Sequence, residues 1–378
     1  MSLGVASAVL VAAYLQRAVG SRQAALFAVG TIAGVVLYHA AFGFTSAWRA
    51  LIWHRRGGGV RVQMLMLGLG CLAFVPLLSW GSVSGQVVRG SVAPLSVAVL
   101  AGAFLFGIGM QLGGGCASGT LYAVGGGSSR AVVTLMFFII GSVVGTAHAP
   151  FWDALPSWGT VSLLQRFGAL GALGVSLTLI AFVWLAATVV ERREHGRVTS
   201  IWILETGSAR WLSGPWPLVW GAVGLVVVNV ATLVLAGRPW GVTSAFALWG
   251  AKAALALGFD VVAWPYWAAP VRAASLTAPI AADVTSVMDV GIMLGALSAA
   301  GCAGRFAPVW RIPVGSLVAA MIGGLLLGYG ARVAYGCNIG AYFSGVISTS
   351  LHGWLWCVSA FVGSVAGTRM RGWFGLPA

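Results

Sequence analysis

The chain has 378 residues, of which 59% are hydrophobic and only 7% are charged, and its formal net charge is +14. A soluble domain carries roughly a quarter charged residues, so a soluble enzyme and a secreted disulfide-bonded scaffold are excluded. The positive charges stand singly or in short runs between long apolar segments, which indicates the loops of a multi-pass membrane protein and not a nucleic-acid-binding surface. The five cysteines are an odd number and mostly lie in apolar stretches, so we expect no disulfide framework.

The apolar segments predict an all-α integral membrane protein. A helix needs about 20 apolar residues to cross a bilayer, and nine segments qualify. Two further apolar segments, 20–53 and 241–260, are interrupted by Gly, Trp, Pro and polar residues, and we interpret their first portions as shorter pieces that do not cross. In chain order, the nine candidate spans are 3–17, 62–79, 92–112, 131–148, 167–190, 216–236, 284–304, 312–331 and 352–368.

The arginine-rich loops predict the orientation of the chain. Such loops stay in the cytoplasm, and even numbers of predicted spans separate them, as this rule requires. We therefore expect the N-terminus outside and the C-terminus in the cytoplasm, with a short amphipathic loop at 191–215. The arginine-rich segments are 54–61, 192–210 (ending at Arg210), 305–311 and the tail with Arg369 and Arg371.

Two glycine-rich motifs, GIGMQLGGGCASG and LGYGARVAYGCNIG, indicate an internal duplication. They align when Cys116 is placed on Cys337, 221 residues further along the chain. Separate blocks that keep one spacing are the sequence signature of a repeat. The other blocks at nearly this spacing are GSVVGT (141–146) with GSVAGT (363–368), and Arg17 and Gly20 with Arg238 and Gly241.

The charges further predict that the two copies are inverted. The helix after the motif ends without charge at 147–152 in the first copy, whereas its counterpart ends at Arg369 and Arg371. The same element then leaves the membrane on opposite sides, which is typical of transporters whose substrate site lies near the midplane. We therefore divide the chain into a first repeat (1–150), a linker helix and cytoplasmic loop (151–215) and a second, inverted repeat (216–378).

Both cysteine motifs are too glycine-rich for a straight spanning helix. Each predicts an unwound turn through the cysteine and then a short helix, which starts near Ala117 or Ser118 in the first loop and has Asn338 as its cap in the second. Helix N-termini bind anions, and unwound backbone at membrane depth needs protein or a water-filled cavity around it. We predict two re-entrant loops that meet as an hourglass. The candidate substrate-binding residues are Gln111, Gly115, Cys116, Ser118 and Gly119 in the first loop, and Arg332, Gly336, Cys337, Asn338 and Gly340 in the second.

A thiol is a weak donor and a soft acceptor, which suits a substrate that presents sulfur. Packing alone also explains a buried cysteine, but matching positions in two loops favour binding. Ser21 and its counterparts Thr243 and Ser244 either face the same pore or form ordinary interfacial turns, and both interpretations stay open. Asp289, about six residues into its span, either carries protons or, as we favour, caps or pairs near the surface. With no CxxC pair and no histidine cluster, we predict neither a metal site nor a cofactor.

The segments GGGCASGTLYAVG, GYGARVAYGCNIGAYFSGVISTSLHGWLW and GRPWGVTSAFALWGAK resemble the YeeE/YedE sulfur-transport family of bacterial inner-membrane proteins, and the resemblance covers most of the chain. It implies an hourglass of nine spanning helices plus short inserted ones, in the inner membrane. It also implies uptake of thiosulfate, which the thiols of Cys116 and Cys337 hydrogen-bond in transit. A third family cysteine is expected where Ser21 stands. The family commonly works with a small cytoplasmic sulfur-handling protein of the TusA type.

Two alternatives remain open at this point. One is a transporter of another sulfur or selenium species, such as sulfite, a persulfide or a selenium oxyanion. The other is a membrane sulfurtransferase with a persulfide on Cys337, which we rank lower because the sequence places no basic residue to activate that thiol. We therefore expect a transporter and not an enzyme.

Overall fold

The computed structural model describes residues 2–83, 85–202, 211–306, 308–309 and 311–377. Within these ranges the chain is an all-α membrane protein whose strands form only two short antiparallel pairs. Eight helical segments are long and apolar enough to cross a membrane. They are Ser21–His54, Gly58–Trp80, Val97–Gly125, Ser129–Ala147, Leu163–His195, Leu218–Ala236, Val284–Cys302 and Val314–Ile347.

The elements are numbered in chain order. The first part contains α1 (Ser2–Ala18), α2 (Ser21–Ala40), α3 (Phe44–His54), α4 (Gly58–Trp80), α5 (Val97–Gly113), α6 (Ala117–Gly125), α7 (Ser129–Ala147) and α8 (Ala149–Asp153). The long helix α9 (Leu163–His195) precedes α10 (Leu218–Ala236), α11 (Thr243–Ala256), α12 (Pro270–Thr277), α13 (Val284–Cys302), α14 (Val314–Val333), α15 (Ser344–Ile347) and α16 (Leu351–Met370). The strands pair β1 (Ser82–Val83) with β2 (Gln86–Val87), and β3 (Pro94–Ser96) with β4 (Ser157–Thr160).

The segment 20–53 differs from its prediction. α2 is a continuous helix of 20 residues and belongs to one of the eight apolar segments. The expectation that its first portion is too short to cross is wrong, because Gly30 and Gly34 do not break the helix but pack directly against the backbone of α13. In 241–260, by contrast, α11 has only 14 residues, so the prediction of a shorter piece is confirmed.

Two predicted spans are not among the eight segments. α1, in place of 3–17, has 17 residues and is shorter than a typical crossing. α16, in place of 352–368, has 20 residues but lacks a stretch apolar enough to be counted among the eight. Its polar residues face the protein interior, where His352, Ser364 and Thr368 are buried.

Close packing through glycine joins α5, α7, α14 and α16. A Cβ atom on Gly107 of α5 would collide with the carbonyl oxygen of Ala360 in α16, and one on Gly328 of α14 would collide with that of Phe138 in α7. Helices in lipid gain no hydrophobic energy from each other, so they associate through close backbone approach of this kind. This four-helix group is the frame from which the two cysteine loops extend.

The contacts within this group occur in reciprocal pairs. Ser142 of α7 donates to the carbonyl oxygen of Gly328 at 3.5 Å, and Ser364 of α16 donates to that of Gly107 at 3.2 Å. These are equivalent positions in the two aligned segments. In the same way, Gly102 of α5 packs near the end of α14, and Gly109 packs against its middle, so α5 and α14 run antiparallel.

The upstream repeat block, which aligns Arg17 and Gly20 with Arg238 and Gly241, does not follow this reciprocal pattern. Leu15, near the end of α1, packs in a small cluster with Val287, near the start of α13. Arg238 donates a hydrogen bond to Thr285, also at the start of α13. Arg17 and Arg238 therefore lie at the same end of the helix group, whereas inverted copies would place them at opposite ends.

The loop at 191–215 is anchored by a buried ion pair. Arg61, at the start of α4, pairs with Glu191 at 2.5 Å, and Glu191 also accepts from the hydroxyl of Thr199 at 2.7 Å. The contact ties two of the predicted cytoplasmic loops together. Arg210 lies outside the described residues.

We expect Gly107→Ala to lower the stability of the folded protein by about 1–3 kcal/mol, because the added methyl group forces α5 and α16 apart. The matched control is Gly174→Ala in α9, where an added Cβ meets nothing within 4 Å. Thermal unfolding of the two variants in detergent tests this. Equal melting temperatures for both variants and the unaltered protein would contradict it.

Candidate functional site

The first cysteine loop joins α5 to α6. α5 ends at Gly113 because Gly114 takes a left-handed conformation (φ 90°), which glycine adopts without strain. Cys116 is extended and caps α6, which begins at Ala117. The carbonyl oxygen of Gly113 accepts a hydrogen bond from Arg130 at 2.8 Å, so the end of α5 is not left unsatisfied. The predicted unwound turn and short helix are both present.

The second cysteine loop follows α14 and is more strained. Tyr335, which aligns with Gly114, is also left-handed (φ 60°), a costly conformation for a bulky residue. Gly336 has φ 149°, and Cys337 is extended. The next six residues, Asn338–Phe343, form a π-helical segment that continues into α15. Such segments are frequent at functional sites.

Asn338 is not the cap that the sequence predicted. The backbone is still extended at Cys337 and becomes helical only at Asn338, so Cys337 takes the cap position. The Asn338 side chain is fully buried, and neither its amide oxygen nor its amide nitrogen has a hydrogen-bond partner among the described residues. A buried amide without partners, directly after Cys337, offers both a donor and an acceptor.

The two loops meet inside the protein. Cys116 is 2% exposed and Cys337 is fully buried, both within the main apolar core. α6 contacts the π-helical segment, and the two thiols lie within electrostatic range of each other. In the first loop, Sγ of Cys116 lies 3.4 Å from Oγ of Ser118. Gly115 and Gly119 allow the close turn, since a Cβ on Gly115 would lie 3.2 Å from the backbone of Gly119.

A cavity of about 260 Å³ borders the second loop at Gly336 and Gly340, which lie before and after Cys337 in the chain, whereas Cys337 itself does not line it. This volume is smaller than most drug-sized pockets and suits a small ion. One wall comes from the segment before α11 and the start of α11, and the other comes from the end of α14 and the second loop. The walls include Arg238, Gly241 and Ser244 on the first side, and Arg332, Gly336 and Gly340 on the second.

Two arginines give this cavity its charge. Arg332 donates to the hydroxyl of Tyr266 at 2.8 Å, and Arg238 donates to Oγ1 of Thr285 at 3.0 Å. Ser244 lies 3.0 Å from the same Thr285 hydroxyl. Both arginines hydrogen-bond to neutral groups, and Arg238 also lies within electrostatic range of Asp283 and Asp289. Neither arginine has a direct ion pair among the described residues, so both can donate to an anion.

A hydrogen-bond network fixes the first wall to the second loop. The side-chain amide of Asn229 in α10 donates to Oγ of Ser344 at 3.1 Å and accepts from the backbone N–H of Trp240 at 2.8 Å. Ser344 donates in turn to the carbonyl oxygen of Trp240 at 2.9 Å. The sequence motifs did not single out Asn229, although it is the one asparagine within the apolar run LVWGAVGLVVVNVATLVLA.

Gln111 lies apart from this cavity, at the end of α5. It is fully buried, its carbonyl oxygen accepts from Arg371 at 2.6 Å, and its side-chain amide donates to the carbonyl oxygen of Thr45 at 3.3 Å. Burial, together with the positive charges of Arg49 and Arg130, lowers the pKa of Arg371 to about 10. A group of arginines thus lies near the first loop, and the sequence had indicated it only as part of loop charge.

Ser21, which stands where the family resemblance implies a cysteine, also lies away from the cavity. Ser21 is exposed at the start of α2, where its neighbour Arg22 donates to the carbonyl oxygen of Leu235 at 2.7 Å. Its counterparts Thr243 and Ser244 line the cavity, and Ser21 does not. Thr243 and Ser244 therefore border the cavity, whereas Ser21 lies at an exposed turn.

A model of the sulphur transport family matches residues 39–366. The chain belongs to the sulphur transport family. Because this match covers most of the chain, the resemblance noted in the sequence is confirmed. The protein is a multi-pass membrane transporter and not an enzyme.

Similar proteins carry transporter names. The thiosulfate transporter TsuA of Spirochaeta thermophila is 28% identical over 352 residues, which cover 89% of this chain and 95% of the relative. The thiosulfate transporter TsuA of Escherichia coli K12 is 27% identical over 302 residues, covering 69% and 71%. The probable transporter YedE of the same bacterium is 28% identical over 162 residues, covering 42% and 39%.

We expect Gly336→Ala to distort the second loop, because a side chain at φ 149° is strained and its Cβ would lie 2.9 Å from the N–H nitrogen of Ala341. The cost is about 1–3 kcal/mol. Gly241→Ala is the matched control, since it lies on the facing wall and an added Cβ meets nothing within 4 Å. Melting temperatures in detergent check this, and an unchanged value for Gly336→Ala contradicts it.

Proposed function

We propose that the protein is an inner-membrane permease that imports thiosulfate along a central path between the two cysteine loops. The observation that carries this proposal is the small cavity lined by Arg238 and Arg332 and by Gly336 and Gly340 of the second loop, next to the buried Cys337. The charge attracts a small anion, and the thiol of that loop suits a sulfur-bearing ion. The names of the relatives agree with this substrate.

We further propose that the two loops are re-entrant and belong to inverted halves. The reciprocal contacts of α5, α7, α14 and α16, and the antiparallel course of α5 and α14, support this arrangement. The inversion then relates α4–α7 to α13–α16 and excludes the upstream block. The boundaries 1–150 and 216–378 are accordingly wider than the part of each half that repeats.

The orientation follows from the added crossing of α2. Gly4, at the start of α1, packs against Ser298 near the end of α13, which leads to Arg305. Arginine-rich loops stay in the cytoplasm, so we now propose that the N-terminus lies on the cytoplasmic side, together with the C-terminus. The cavity with Arg238 and Arg332 then opens to the outside and receives the anion there.

Import of this ion needs a driving force. A negative interior opposes each charge of a divalent anion by about 2.3 kcal/mol per 100 mV. A concentration gradient, coupled ion movement or rapid consumption in the cytoplasm therefore has to drive uptake. The proposal includes hand-over to a cytoplasmic sulfur carrier of the TusA type, which rests on the family resemblance alone.

We expect Cys337→Ala and Cys116→Ala each to abolish growth on thiosulfate as sole sulfur source, because each removes one of the two thiols that contact the ion on its way. The matched control is Cys302→Ala at the end of α13, which we expect to grow normally. Normal growth of both loop variants, with expression confirmed, would remove the thiols from the mechanism.

Competition separates thiosulfate from chemically related ions. Uptake of labelled thiosulfate by cells is measured in excess unlabelled thiosulfate, sulfite, selenite or sulfate. We expect only the unlabelled thiosulfate to compete fully, since the thiols favour the terminal sulfur of the ion. Full competition by sulfite or selenite would assign the site to the alternative substrate.

We expect Arg332→Gln to raise the KM for thiosulfate about tenfold, because a charged donor to the anion is worth about 1.5–3 kcal/mol. Arg272→Gln is the matched control. Its guanidinium lies 4.1 Å from the centre of the same Tyr266 ring but does not line the cavity. Uptake kinetics over a range of thiosulfate concentrations check this, and equal KM values for the two variants contradict it.

A further inference from the structure

Asp289 is a buried acid that the proposed path does not yet use. It lies in α13, about 8 Å below the first residue of that helix, and it is fully buried. Neither of its carboxylate oxygens has a hydrogen-bond partner among the described residues. The near-surface cap that we favoured from the sequence is instead Asp283, which accepts from the N–H and the hydroxyl of Ser286, both at 2.7 Å.

A row of polar groups leads from the cavity to Asp289. Arg238 and Ser244 line the cavity, and both contact the hydroxyl of Thr285. Thr285 and Asp289 are four residues apart on α13, so they lie one above the other on the same helix face. Cys337 lies within electrostatic range of Asp289. Asp289 therefore lies one helical turn from the residue that Arg238 and Ser244 contact, and it also influences the thiol of the second loop.

Few other charges reach this position. Asp289 lies within electrostatic range of Arg238 and Asp283, and Arg22 acts in turn on Arg238. The titratable groups on the other helices packed against α13 lie elsewhere. Lys252 of α11 donates to the carbonyl oxygens of Leu276 and Ala278, and Tyr14 and Arg17 of α1 are exposed. Tyr122 of α6 lies near Cys116, and His39 lies at the far end of α2.

An ionised carboxylate without hydrogen-bond donors is unfavourable in this interior. The charge of Arg238 offsets part of that cost while no anion is present. When an anion binds to Arg238, it neutralises the arginine, and Asp289 then becomes neutral by taking up one proton from the cavity side. Binding of the anion and binding of the proton thus favour each other, and this coupling is reciprocal.

We propose that Asp289 binds and releases one proton in each transport cycle, so that the anion and the proton cross together. The inference rests on the proposed function and adds its coupling ion. One proton enters with one divalent anion, so a single net negative charge moves inward per cycle and no bond other than the carboxyl O–H forms or breaks. An acidic exterior then drives uptake.

Uptake of labelled thiosulfate into proteoliposomes tests this, with the membrane potential clamped by potassium and valinomycin. The lumen is held at pH 7.5 and the exterior at pH 7.5 or 6.0. We expect the acidic exterior to raise the initial uptake rate of the unaltered protein several-fold. We expect Asp289→Asn to remove this increase while keeping thiosulfate exchange at equal pH. Asp260→Asn, at an exposed acid, is the matched control and keeps the increase.

A second measurement does not depend on the variants. A pH-sensitive dye trapped in the lumen is expected to report acidification when thiosulfate is added outside the unaltered protein, but not when sodium chloride is added. A full response of Asp289→Asn to the pH gradient overturns the inference, and so does thiosulfate uptake by the unaltered protein without acidification. Absence of any thiosulfate uptake by the unaltered protein overturns the proposed function itself, and the inference with it.

Discussion

The structure depends on hydrogen-bond partners for the polar groups of unwound backbone at membrane depth. The chain leaves helical pairing around Cys337, and in lipid the freed polar groups have to find partners within the protein. The carbonyl oxygen of Gly336 accepts from the indole of Trp356 at 3.2 Å, and that of Gly340 accepts from the hydroxyl of Ser91 at 3.1 Å. These partners come from other elements, α16 and the segment before β3, so the loop depends on the packing of its neighbours.

The unwound backbone differs between the two cysteine loops, although the helices that carry them pack in the same way. The first loop has a glycine in the left-handed position and continues into a regular helix, α6. The second has Tyr335 in the same position and a π-helical segment. Gln111 of the first half, paired with the arginine group at the end of α5, corresponds to Arg332 in the cavity wall. A duplicated frame thus carries two unlike loops, of which the second borders the cavity and the first does not.

Much of this arrangement could be predicted from residue patterns, and some could not. The glycines around Cys116 and Cys337 predicted both turns, because no other residue type allows such backbone at low cost. The length of α2 could not be predicted, since it depends on the close packing of Gly30 and Gly34 against the backbone of α13. Asn338 and Asp289 are buried without a hydrogen-bond partner in the part of the chain that the structure describes. This could not be predicted, because local sequence does not tell whether a neighbouring element will supply a donor. The motifs were enough to predict the family, whereas the cavity could be recognised only in the folded structure.

Both thiols are buried, so the proposed passage of an ion past them requires one loop to move. The frame of α5, α7, α14 and α16 is packed backbone against backbone and cannot open locally without separating helices. The second loop differs, because Tyr335 holds a strained conformation and the next residues form a π-helical segment in place of a regular helix. Under the proposed function, this strain makes the second loop, which borders the arginine-lined cavity, the more suitable of the two to move.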